Sequence, residues 1–206
     1  MYIIGITGLS CSGKTTLAKK LVDSLGGDDE CLLISIDNYY KELTKQQLEI
    51  LHNDSADINF DTPEAIDFCL LKQNLTEIKQ NKLVILPKFD IASCIRSNGF
   101  EVAVNKYKYI ILEGLFVLWK SDIADLCDLK LWVETSDYVC ALRRFIKFTT
   151  VIKGYTHDYV YNQCLKHVIP GQEIFIKPVK KICDFFINGE KNDDNSIKMI
   201  VKYASC

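Results

Sequence analysis

Proline and glycine are scarce in this chain of 206 residues, at four and ten, and no linker, repeat or low-complexity tract interrupts it. With 48% apolar residues, such a chain can bury a substantial core, and one globular domain over residues 1–206 is expected. Surplus positive charge is missing too. The 25 Lys and Arg against 27 Asp and Glu leave a net charge of −2. That balance excludes a polybasic nucleic-acid binder, though it leaves room for a locally basic pocket. No apolar run approaches the roughly 18 residues of a membrane span. The first residues, Met1 to Gly8, carry no basic segment, so no signal peptide is expected. Cysteine, by contrast, is plentiful: nine residues, an odd number, with no CxxC pair and no metal-ligand spacing. Several lie in apolar surroundings, such as Cys31 and Cys183, where a thiol behaves as a small hydrophobe. His52, His157 and His167 fit no metal pattern either. A reduced, soluble, cytoplasmic protein is expected, with neither membrane nor nucleic-acid partner.

Apolar runs alternate with helical periodicity. Tyr2 to Thr7 and Cys31 to Ile36 read as buried strands, and Leu17, Leu21 and Leu25 mark a helix between them that Gly26-Gly27 ends. Thr62-Pro63-Glu64 has the order of N-cap, first helical residue and early acid, predicting a helix through about Gln80. Leu83–Leu86 and Glu101–Val104 read as strands around a long loop, a small β-hairpin insertion. Tyr109–Leu112 and Leu129–Val133 are further strands. Asp137 to Lys181 is helical, with breaks at Gly154 and near Pro170-Gly171, and Cys183–Ile187 and Ile197–Val201 close the chain as strand-like pieces, the last of ambiguous type. Strands alternating with helices predict an α/β fold, a doubly wound, mostly parallel sheet with helices on both faces.

Gly8-Leu9-Ser10-Cys11-Ser12-Gly13-Lys14-Thr15 matches GxxxxGK[ST] at every fixed position, after a strand and at a helix start. In such a loop the glycines let successive N–H groups turn inward toward phosphate oxygens, and the following helix adds its N-terminal partial charge. Gly8, Ser10, Cys11, Ser12, Gly13, Lys14, Thr15 and Thr16 are therefore the candidate nucleotide-binding residues. Lys14 is expected on the β- and γ-phosphates, and the Thr15 hydroxyl on Mg²⁺. Neither an NKxD guanine-reading motif nor an LSGGQ-type signature occurs, which leaves a small-molecule kinase as the strongest option.

Two acids stand at strand ends, where doubly wound sheets bind ligands: Asp37 after Leu-Ile-Ser-Ile, and Glu113 after Tyr-Ile-Ile-Leu. One carboxylate there can take the proton of an attacking hydroxyl and another can serve a metal ion. Arg143, Arg144 and Lys147 concentrate charge on one helix, with Lys153 at a bend beyond, as a phosphoryl-transfer lid requires. A solvated helix face is the competing reading for this stretch.

With these pieces in place, the sequence resembles the uridine kinase (uridine–cytidine kinase) family of P-loop nucleoside kinases through almost its whole length. The resemblance is carried by Gly5–Ala18, Ile34–Lys41, Ile111–Leu115, Leu142–Arg144 and Lys177–Asp184, and most specifically by Asn59-Phe-Asp-Thr-Pro-Glu-Ala-Ile-Asp-Phe68. It implies transfer of the γ-phosphate of ATP or GTP to the 5′-hydroxyl of a pyrimidine ribonucleoside. Asp37 matches the base on that hydroxyl, and Tyr40 the aromatic beside it. Phe60 and Asp61 match a base-packing ring and a carboxylate on the ribose hydroxyls. Thr15 and Glu113 match the Mg²⁺ shell. Arg144, Lys147 and Gln163 fall in the lid, about residues 142–165, and a nucleoside-binding loop falls at about 87–105. A homo-oligomer, tetramer or dimer, is implied as well.

The base-reading loop departs from the family's Tyr-Asp-Phe-x-x-His-x-Arg. Here Phe89, Ile91 and Cys94 replace its polar and aromatic readers, while Arg96 is kept. Phenylalanine cannot hydrogen-bond and a thiol does so weakly. Lys147 stands where the family usually has Arg, and Tyr155 near another Arg. Three outcomes stay open at this level: a weak pyrimidine-nucleoside kinase, a kinase for another ribonucleoside such as nicotinamide riboside, and a catalytically weak nucleotide-binding regulator.

Overall fold

The computed structural model describes residues 1–52, 57–91, 93–152, 155–191 and 194–205, except for the side chain of His52. The bend and cation expected at Lys153-Gly154, and Cys206, lie outside the described residues. The strands are β1 (Tyr2–Gly8), β2 (Cys31–Ser35), β3 (Val84–Asp90), β4 (Ile95–Val102), β5 (Tyr109–Glu113), β6 (Leu129–Glu134) and β7 (Phe185–Asn188). The helices are α1 (Lys14–Ser24), α2 (Lys45–His52), α3 (Phe68–Lys79), α4 (Ser121–Ala124), α5 (Asp137–Ile146), α6 (His157–Gln163), α7 (Ile169–Gly171) and α8 (Asp194–Ala204).

Five strands pair in parallel in the order β2-β5-β1-β6-β7. Both faces are covered, which is why these strands read as continuous apolar runs: Ile3, Ile4, Ile6, Ile110, Ile111 and Leu112 are all fully buried. On one face Leu17, Leu21 and Val22 of α1 pack with Ile197 and Ile200 of α8. On the other, Leu71, Leu75 and Ile78 of α3 pack with Val84 and Leu86 of β3. From β1 the chain crosses to β2, while β6 lies on the opposite side of β1. The carboxyl end of β1 is thus a switch point, where such sheets open a crevice. Among the described residues no helix is long and apolar enough to cross a membrane, and the eight described cysteines are free thiols.

Four expectations are corrected. The helix expected from Thr62 is only a single 3₁₀ turn, Pro63–Ala65, and α3 begins at Phe68, where the Asp67 carboxylate caps Leu70 N at 3.1 Å. Between the two, the backbone pairs elsewhere: Asp67 N donates to Tyr39 O (2.8 Å) and Lys41 N to Ala65 O (2.8 Å). Those bonds carry Phe60 and Asp61 alongside the turn that follows β2. The strands of the hairpin run further than expected, to Asp90 and from Ile95, so most of the supposed loop is paired, with an irregularity at Leu86/Pro87. Pro170-Gly171 does not break the helix. π-helical turns at Cys164–Val168 and Gln172–Ile176 flank it and absorb the missing proline N–H, and a Cβ on Gly171 would lie 2.2 Å from Asp61 O, so glycine permits close approach. Ile197–Val201 is helical rather than strand-like, because Ile197, Ile200 and Ala204 make one buried stripe at helical spacing.

Candidate active site

The turn after β1 curls into the phosphate loop. Gly13, with φ 109, and Cys11, with φ 61, hold left-handed backbone, and α1 starts at Lys14. Lys14 is buried and its Nζ donates to Leu9 O (2.7 Å) and Gly8 O (3.2 Å). Burial pulls its pKa down, and the negative charges of Glu113 and Asp37 pull against that fall. The Thr15 hydroxyl donates to Glu113 Oε2 at 3.2 Å, so the residue after the lysine and the last residue of β5 meet at the mouth of the loop.

Asp37 lies in the 3₁₀ turn Ile36–Tyr39 that follows β2. Burial first, then repulsion from Glu113, pushes its pKa up to about 6, while Lys14 and Lys147 oppose the rise. A carboxylate held near 6 suits general-base work near neutral pH. Beyond it, Tyr40 donates its hydroxyl to Phe60 O (3.1 Å) and sets its ring against Phe60 (5.9 Å) and Phe89 (5.4 Å). Asp61 is buried and pairs with Arg144 at 3.5 Å.

Arg143 and Arg144 of α5 are half-buried rather than solvated, while Lys147, just past the helix, is exposed. Arg144 donates to Ser10 Oγ at 2.8 Å and stands over the Phe148 ring at 4.7 Å. Arg143 donates to Gly189 O (3.1 Å) and Ser12 O (3.5 Å), and Lys147 reaches the same cavity. All these groups line one cavity of about 680 Å³ that runs from the phosphate loop to an aromatic end formed by Phe60, Phe89, Ile91, Tyr155 and Tyr159. Cys94 and Gln163 close that end, the latter through its amide N–H groups on Ile58 O (2.9 Å) and the Tyr159 hydroxyl (3.3 Å).

Of the residues singled out in the sequence, Ser10, Cys11, Gly13, Lys14, Thr15, Thr16, Asp37, Tyr40, Phe60, Asp61, Phe89, Cys94, Glu113, Arg144, Lys147 and Gln163 all line this cavity, while Gly8 and Ser12 shape the loop behind it. Arg96 is the exception. It points away and pairs with the α3 cap, Asp67, at 3.1 Å. Sequence reasoning missed Thr135, whose hydroxyl donates to Ser12 O at 2.8 Å, and the Asn188–Lys191 segment beside it. Nothing local marks Thr135, because its partner lies 123 residues away. Tyr155 and Tyr159 were also missed as a pair, although their i, i+4 spacing was visible.

The donor set fits a nucleotide and a hard cation. Ser12 Oγ and Arg144 Nε are buried without a hydrogen-bond partner among the described residues, in and beside the loop, and buried polar atoms are rarely left so. The hydroxyl of Thr15 and the carboxylate of Glu113 are oxygen ligands of the kind Mg²⁺ takes.

Residues 3–196 match the model of the Phosphoribulokinase / Uridine kinase family. The chain belongs to this family. A Lactobacillus helveticus protein named uridine kinase is 35% identical over 198 residues, 96% of this chain and 91% of that one. A Staphylococcus aureus uridine kinase is 37% identical over 185 residues, covering 90% and 86%. In fold, the phosphoribulokinase of Rhodobacter spheroides superimposes with a TM-score of 0.66 at 18% identity, covering 89% of this chain and 68% of that one. As a member of the phosphoribulokinase/uridine kinase family, the chain is an ATP-dependent kinase that phosphorylates a hydroxyl group.

Proposed function

We propose that this kinase transfers the γ-phosphate of ATP or GTP to the 5′-hydroxyl of a pyrimidine ribonucleoside, uridine or cytidine, giving the 5′-monophosphate. One observation carries the reading. One cavity is lined by the phosphate loop, by Asp37 with its pKa pushed up to about 6, by the buried Asp61 and by the rings of Tyr40, Phe60 and Phe89, groups suited to phosphate, hydroxyl, ribose and base. The names of relatives at 35–37% identity support it.

In this reading Lys14 and the inward N–H groups of residues 8–16 bind the donor phosphates. Arg144 and Lys147 neutralise charge spread over the transferring group, and Asp37 accepts the proton as the substrate hydroxyl oxygen bonds to phosphorus and the nucleoside diphosphate leaves. Thr15 and Glu113 would hold Mg²⁺, which supplies further charge neutralisation on the phosphates. Asp61 accepts the ribose hydroxyls, and Tyr40, Phe60, Phe89 and Cys94 enclose the base. Residues 1–206 act as one kinase domain with its lid at about 142–165, working in the cytoplasm as a homo-oligomer.

The test is a panel of ribonucleosides with ATP and Mg²⁺, read as kcat/KM and by identification of the product. Uridine or cytidine is expected to rank first, with phosphate on the 5′-oxygen. A higher kcat/KM for a purine nucleoside or a non-nucleoside alcohol overturns the assignment.

A further inference from the structure

The aromatic end of the cavity offers few polar atoms to a bound base, and most of those are committed. Phe89 has none. The Cys94 thiol donates to Ile91 O at 3.5 Å. The Gln163 amide N–H groups go to Ile58 O and the Tyr159 hydroxyl, and Arg144 holds Ser10 and Asp61 through its two terminal nitrogens, with Nε left unpaired among the described residues. Tyr155 is different. Its ring is fixed on two sides, stacked on Tyr159 (centroids 4.9 Å apart, planes at 27°) and edge-on to Phe148 (5.7 Å). Its hydroxyl has no hydrogen-bond partner among the described residues, and the residue lines the cavity.

We propose that Tyr155 is a specificity-determining residue whose hydroxyl reads the edge of the substrate's base, and that the base it selects is uncharged. This rests on the nucleoside-kinase reading above and names the chemistry of its acceptor site. A phenol locked between two rings gives up little rotational freedom on binding, so its one hydrogen bond is preorganised. Burial, and then the neighbouring Cys94, raises the phenol's pKa, so it stays protonated at neutral pH and can both donate and accept. Such a group suits a ring edge carrying carbonyl, imino or amino functions. A cationic base is disfavoured, because the Arg144 guanidinium and the Lys147 ammonium already stand over the Phe148 ring at 4.7 and 5.6 Å. In this chain the reading of the base edge has moved from the hairpin, where Phe89 and Cys94 cannot do it well, to the lid.

Tyr155→Phe keeps the ring stack and removes only the oxygen. It is expected to lower kcat/KM for uridine and cytidine by about 5- to 100-fold, the range for one lost polar contact. KM for ATP and the melting temperature should stay within twofold and about 1 °C of wild type, which separates recognition from a structural role. Tyr155→Ala should lose more, because the stack goes too. Nicotinamide riboside, a cationic probe, should be turned over at least tenfold less efficiently than uridine. Tyr155→Phe within twofold of wild type on both pyrimidine nucleosides overturns the proposal and leaves the nucleoside-kinase reading standing, whereas a preference for the cationic probe over uridine overturns the proposal and the pyrimidine assignment together. Failure of the wild type to phosphorylate any nucleoside overturns both.

Discussion

Arg144 and Asp61 form an ion pair at 3.5 Å with side chains only 14% and 6% exposed, and the same guanidinium donates to Ser10 of the phosphate loop at 2.8 Å. One guanidinium thus ties Asp61 to the phosphate loop across the cavity. A pair this enclosed gains little net stability, since desolvation offsets most of the attraction, but removing one partner strands a buried charge. The Arg144 link therefore chiefly positions Asp61 against the phosphate loop.

Arg144→Ala is expected to destabilise the fold by about 3 kcal/mol or more, because Asp61 loses its counter-charge, and to reduce kcat at least 100-fold. Arg144→Lys should recover much of the stability but little of the rate, since an ammonium cannot hold Ser10 and Asp61 with one planar fork. Thermal melts and steady-state kinetics on the two variants check this.

Asp61→Asn should erode the preference for ribose over 2′-deoxyribose. A site built to accept hydroxyl protons penalises a ligand that lacks one, and an amide accepts less well than a carboxylate. The ratio of kcat/KM for uridine to that for 2′-deoxyuridine should fall by about tenfold.

The pH dependence follows from Asp37, whose pKa is pushed up to about 6. With Asp37 as the proposed base, its ionised form is the active one, so kcat/KM should rise about tenfold per pH unit below about 6 and level off above. Glu113 contributes to the rise by repulsion, so Glu113→Gln should move the acid limb to lower pH as well as reduce the plateau. For stability the sign is opposite. The folded state holds this proton more tightly than the unfolded chain, whose value is near 3.8. Its contribution is therefore complete below about 4 and is lost as pH rises through 6. Asp37→Asn should accordingly melt higher than wild type at pH 8, and match it more closely at pH 4.

Gly189→Ala tests the joint between β6, β7 and the phosphate loop. A Cβ there would lie 2.1 Å from Ser12 O and 2.3 Å from Thr135 Oγ1, so the Thr135–Ser12 hydrogen bond cannot survive unchanged. The variant should raise KM for ATP by at least tenfold, with a smaller effect on nucleoside KM. Thr135→Val should move the same constant in the same direction and less far.

The donor half of the site was legible in the sequence because it is local: eight consecutive residues dictate the loop, and the strands before Asp37 and Glu113 declare their own ends. Asp61 was legible only through the family's Asn-Phe-Asp-Thr-Pro-Glu stretch, since its companions Arg144 and Gly171 lie far along the chain. Spacing failed where tertiary pairing overrode local preference. Thr62-Pro63-Glu64 has good helix-start chemistry, yet Asp67 and Ala65 spend their backbone groups on Tyr39 and Lys41. Ile197–Val201 suits a strand by composition, and packing against α1 makes it helical. Arg96 kept its place in the motif and turned to Asp67, which no spacing could reveal.

The most direct test of the account compares wild type and Asp37→Asn for nucleoside-dependent release of ADP from ATP, with the product identified. The wild type should form uridine or cytidine 5′-monophosphate. The variant should bind nucleoside within a few-fold of wild type while its kcat falls by about 10²–10⁴, the usual worth of a positioned base. An Asp37→Asn enzyme as fast as wild type, or a wild type that binds ATP and releases no ADP with any nucleoside, would contradict it.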